Sequence, residues 1–170
     1  LVQYQQIDDV LFWTLSNSVR SVITDTRLQD TSDNRENRSI TTFSPELRLP
    51  ITRVDSLNTV ASYSRTDYED NSQQESERLG GTVSWLHRFS QVDSLDLTGG
   101  YYDVNFDDSI SDYEYYTARL SYASSLSQLS YTLVVGYNEA KREVFEDTDG
   151  PYLNANFVYK SGFSEWELNL

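Results

Sequence analysis

Asp103, Asn105, Asp107 and Glu114 carry oxygen ligands at the first, third, fifth and twelfth places of a run, the spacing with which a helix-loop-helix calcium loop surrounds its ion. The sixth place, where that loop turns on a glycine, is Asp108, and the flanking residues alternate as strands do. The segment therefore reads as a solvated acidic loop, with weak binding of a divalent ion such as Ca2+, bridging lipopolysaccharide phosphates, as the alternative. His87 is the only histidine, which removes most acid-base and nucleophilic schemes. Alternation puts it on a face with Trp85 and Phe89, opposite Ser84, Arg88 and Ser90, so no Ser/His pair is assembled and catalysis is not expected. A third set, Glu46, Arg48, Arg88, Asp96, Arg119 and Lys160, shares a face with many Ser, Thr, Asn and Gly residues. Such charges either pair into a solid polar interior or line water, and the small size of their neighbours favours water. Tyr102 and Tyr115 lie on the same face, filling space or offering rings on which sugars stack.

These residues are positioned by a repeating turn. Ile7-Asp8-Asp9-Val10, Val54-Asp55-Ser56-Leu57 and Val92-Asp93-Ser94-Leu95 recur, followed more loosely by Leu126-Ser127-Gln128-Leu129 and Phe163-Ser164-Glu165-Trp166. Their second residues are 47, 38, 34 and 37 positions apart, the length of two long strands and a loop. Between turns the chain alternates with period two: Leu79, Gly81, Val83, Trp85 and His87 fall on one face, Gly80, Thr82, Ser84, Leu86 and Arg88 on the other. The pattern predicts hairpins over about 10–52, 56–90, 94–125 and 129–161, giving eight long strands, with half-strands at Leu1 to Gln5 and Trp166 to Leu170. Both half-strands stop in mid-pattern, which predicts a segment of a longer barrel, with a small barrel whose termini lie within one strand as the alternative. Pro45 and Pro50 on one strand predict an irregular or edge-like stretch, and Glu146 to Gly150 a turn leading into Pro151.

Composition narrows the class. The 170 residues include 13 Tyr, 7 Phe and 3 Trp, yet mean hydropathy is -0.58. A polar chain this rich in aromatics fits a sheet with an apolar outside, a polar inside and aromatic girdles. No run approaches the roughly 18 apolar residues of a membrane helix. Cysteine is absent, excluding disulfides and thiolate metal sites, and the lack of Met or a signal-peptide layout predicts a mature form or an internal segment. The net charge of -14 excludes nucleic acid as a partner. The acids concentrate in Asp25 to Glu36, Asp67 to Glu77, Asp103 to Glu114 and Glu139 to Asp149, far from the short turns. One rim is thus expected to be acidic.

The expected strands run for roughly 10 to 14 residues, beyond the usual 5 or 6 and close to the 9 to 11 tilted residues that cross a bilayer. Aromatics sort by level. Phe89, Tyr122, Tyr131, Tyr159 and Trp166 lie towards the short turns, with Trp85 just inside them, and Tyr63, Tyr101, Tyr116, Tyr137 and Tyr152 lie towards the acidic loops. Two such belts match two membrane interfaces. The fold class expected is all-β, an antiparallel up-and-down transmembrane β-barrel, with a soluble sandwich or solenoid as the alternative.

The run Arg-Leu-Pro-Ile-Thr-Arg-Val-Asp-Ser-Leu (48–57), leading into Ala-Ser-Tyr-Ser-Arg-Thr-Asp-Tyr (61–68), resembles the β-barrel porins that accompany exopolysaccharide-export and exosortase gene clusters in Gram-negative bacteria. The likeness is one of repeating style over most of the chain. It implies a barrel in the outer membrane, in contact with lipid and lipopolysaccharide, passing solutes by diffusion or serving as the outer conduit of polysaccharide-export machinery. It carries no assignment of binding residues. The alternative is a non-conducting structural or adhesive barrel whose acidic loops bind a partner or a divalent metal.

Overall fold

The computed structural model describes residues 1–23, 35–69, 75–107, 112–142 and 144–170. Ten strands, β1 (Val2–Ile7), β2 (Leu11–Ile23), β3 (Arg35–Pro50), β4 (Asp55–Tyr68), β5 (Ser76–Arg88), β6 (Asp93–Phe106), β7 (Tyr113–Ser125), β8 (Leu129–Arg142), β9 (Thr148–Ser161) and β10 (Ser164–Asn169), form one sheet in chain order. Every neighbour pair is antiparallel, so the chain runs up and down, and the sheet is open, with β1 and β10 as its edges. The eight inner strands are 13 to 16 residues long and the two edge strands 6 each.

Two of the short turns share one side-chain chemistry. Thr52 donates its hydroxyl proton to Asp55 (2.7 Å) and accepts from the N–H groups of Val54 (3.1 Å) and Asp55 (2.9 Å). Ser90 repeats this with Asp93 at 2.9 Å and the N–H groups of Val92 and Asp93, both at 3.1 Å. The recurring unit is therefore a hydroxyl residue, any residue, Val and Asp, which begins two residues before the Val-Asp-Ser-Leu signature. The last turn instead uses Gly162 at φ +58, the left-handed region glycine enters without strain.

Pro45 sits on an inner strand, not an edge. Lacking an N–H, it interrupts the β3–β4 ladder between Phe43↔Tyr63 and Glu46↔Val60, but the register is the same on both sides of the gap. The segment Thr148 to Gly150, expected as a turn, already belongs to β9 and pairs with β8. Arg142 folds back there, its N–H on Asp147 at 3.0 Å and its guanidinium on Thr148 at 3.1 Å, which closes the link early. At Gly81 a Cβ would strike the Val60 carbonyl of β4, and at Gly80 the Tyr101 carbonyl of β6. The glycines let three strands approach closely here.

Burial is inverted relative to a soluble domain. Among the described residues only Phe12 and Val104 are buried apolar side chains. Leu97, Val135 and Leu153 are 51, 50 and 74 % exposed, whereas Thr98, on the opposite face, is 8 % exposed. The polar face is the more crowded one, as on the inside of a curved sheet, and the apolar face is bare. No second sheet packs on it among the described residues.

Candidate functional site: two faces of one sheet

Register assigns every strand residue to a face. Leu57, Trp85, Leu97, Leu120, Val135 and Leu153 are cross-strand partners in succession, an unbroken apolar row over six strands. Towards the short turns the same face carries Tyr122, Tyr131, Phe157, Tyr159 and Trp166, with Phe89 just beyond the end of β5. Towards the loops it carries Tyr63, Tyr101, Tyr116 and Tyr137. Ten of the eleven aromatics expected in the two belts thus fall on one side. Tyr152 does not; it pairs with Gly136 on the polar face, its ring occupying the space a side chain at Gly136 would take.

Charge bounds the apolar face at both ends. On β6 it begins at Asp93 and ends at Asp103; on β4, at Asp55 and Arg65; on β5, at His87 and Glu77. Each interval is ten residues, about 33 Å along a strand, or about 25 Å in height at a tilt near 40°. Hydroxyls close the boundary. Tyr101 and Tyr116 both donate to Glu114, at 3.1 and 2.9 Å, and Tyr137 donates to Asp149. At the opposite boundary Tyr122 donates to Asp93 at 3.1 Å.

His87 lies at that lower boundary. Its Nδ1–H donates to Asp55 (2.7 Å), and its ring packs edge-on to Phe89 at 4.7 Å between centroids and beside Trp85 at 5.7 Å. The Asp55 partner was not foreseen from sequence, since it stands 32 residues away; their Cα positions are matched only once the hairpin forms.

All six charged residues expected on the polar face lie there, most of them held by partners. Arg48 makes a two-point bridge to Glu46 (2.7 and 2.9 Å) and stacks over Phe12 at 4.3 Å. Thr98 gives its proton to Asp96 (2.7 Å), so its oxygen accepts from Ser84 (2.7 Å) and from Arg119 (3.3 Å), which also reaches Asp96 at 3.4 Å. Lys160 pairs with Glu165 at 3.4 Å. Arg88 has no carboxylate within 4.0 Å among the described residues, and Arg78, not singled out by sequence, instead stacks on Tyr102 at 3.9 Å. Tyr102 and Tyr115 are direct partners across β6 and β7.

Of the four oxygen-bearing residues spaced like a calcium loop, Asp103, Asn105 and Glu114 line one cleft at the loop end of β6 and β7, and Asp107 is not among its lining residues. Asp103 and Glu114 face each other across β6 and β7, but Asp107 lies four residues further along an extended chain, and Glu114 already serves two tyrosines. Asp112, Tyr113, Lys141 and Arg142 complete the lining of that cleft, which mixes both signs. Among the described residues no cluster of three His, Cys, Asp or Glu side chains could hold a metal, and Asp108 lies outside them. No protein family, curated protein or solved structure matches the chain.

Proposed function

We propose that this chain forms wall of an outer-membrane β-barrel enclosing a water-filled passage, with the apolar face against lipid and the polar face towards the lumen. The observation that carries this reading is the ten-residue interval between charges on the bare apolar face, whose height of about 25 Å matches the lipid-facing band of such barrels. A sheet inside a bilayer leaves no edge unpaired, so β1 and β10 meet each other or further strands. The abundance of Ser, Thr and Gly on the inner face leaves room for water, and solutes cross by diffusion through a fixed channel. The resemblance to exopolysaccharide-cluster porins extends the reading to a conduit for polysaccharide.

A second reading is a non-conducting barrel of structural or adhesive role. The bridges Glu46–Arg48 and Asp96–Arg119, with Arg48 and Arg78 stacked on rings, are the contacts a plugged interior would contain. Planar-bilayer conductance of the full-length protein, with neutral polymers of graded size, separates the two. Stable steps blocked only by small polymers support the passage. A folded barrel that stays silent favours the structural reading.

A further inference from the structure

We infer that the passage selects for anions, although the chain as a whole is strongly acidic; the inference rests on the pore reading and names its substrate class as carboxylate-, phosphate- or sulfate-bearing solutes and simple anions. Charge is sorted by face. Of the 13 basic residues in the chain, eight stand on the inner face of the strands; of the 27 acidic ones, five do. The inner face is therefore net +3 in a chain of net -14. Among the described residues the remaining acids lie on the outer face, in the turns and in the loops.

The cations are also spread in depth. Arg88 stands at the short-turn end, Arg48 and Arg119 belong to one cross-strand row, Arg78 and Arg142 to a second, and Arg20 and Arg38 are direct partners in a third. Successive levels are four to six residues apart along the strands, roughly 13 to 20 Å. Guanidinium groups thus recur along the wall at intervals of one to two screening lengths at 0.1 M salt. Arg48 and Arg119 are neutralised by Glu46 and Asp96. The guanidinium groups of Arg78, Arg88 and Arg142 have no carboxylate within 4.0 Å among the described residues, the Asp147 carboxylate being held by the Arg142 backbone N–H, and they keep their charge for the solute. Acids at the loop rim attract cations to the mouth, but their field fades over the same screening length before reaching the Arg119 level.

The test is the reversal potential of the full-length protein in a planar bilayer under a tenfold KCl gradient. Anion selectivity is expected, with a chloride-to-potassium permeability ratio of about three or more that persists at high salt, where the loop acids are screened within about 3 Å. Replacing Arg78, Arg88 and Arg142 together by Gln should lower the ratio at least about twofold, and Arg88→Gln alone should lower it by less. Heat-modifiable gel migration checks that each variant is folded. A conducting wild type that prefers potassium, or a folded triple variant with unchanged selectivity, overturns the anion assignment and leaves the pore standing. Silence from a folded wild type overturns both.

Discussion

Tyr101 and Tyr116 face each other across β6 and β7, with rings 5.0 Å apart, and both place their hydroxyls on the single carboxylate of Glu114. The rings belong to the apolar band and the hydroxyls to its border, an arrangement suited to a membrane interface. Tyr101→Phe and Tyr116→Phe should each lower the urea midpoint for unfolding from lipid vesicles. Because the two share an acceptor, their effects should not add. A double-mutant cycle that closes additively would show that Glu114 does not join them.

Leu97 and Ser121 stand at nearly the same depth on opposite faces, Ser121 directly across from Asp96. Leu97→Arg should cost about 2 to 4 kcal/mol in vesicles, and Ser121→Arg less than about 1 kcal/mol. The reverse order would place water against the apolar face.

The turn hydroxyls can be removed singly. Thr52→Ala and Ser90→Ala each strip two backbone N–H groups of an acceptor and should cost about 1 kcal/mol, with Thr52→Ser near wild type. Equilibrium unfolding in urea reads the difference.

Gly136 and Tyr152 form a pair that size can break. Gly136→Val drives its side chain into the Tyr152 ring and should cost about 1 to 3 kcal/mol. Adding Tyr152→Ala should recover part of that loss. A second substitution that only deepens the damage would mean the ring does not lie over the glycine.

Period-two alternation was enough to find the long strands and to divide their residues between two faces, because in an antiparallel sheet neighbouring strands carry the same alternation into register. It failed where chemistry was not periodic. Tyr152 was assigned to the loop-side belt by depth alone, although its even position already placed it with Asn154 and Asn156 on the inner face. Pro45 suggested an irregular or edge-like stretch; the ladder is interrupted there, but the missing N–H leaves the neighbouring rungs to hold an inner strand. The Val-Asp signature was visible while the hydroxyl that organises it was not, since Thr52 and Ser90 differ in type and lie upstream of the repeat. The ring stacking of Arg78 on Tyr102 and the pairing of His87 with Asp55 depend on cross-strand register that no local pattern specifies.

Chain-order pairing also sets how the sheet can be built. Each strand meets the one just made, so the widest matched residues are only some tens of positions apart, as in Leu11↔Leu47 and Asp55↔His87. Loop-closure entropy rises only slowly with such distances, and assembly can proceed as a zipper from any hairpin. In the barrel proposed above, joining the β1 edge to the β10 edge, directly or through other strands, would be the one long-range event. That seam is therefore expected to form last and to open first when the protein is unfolded.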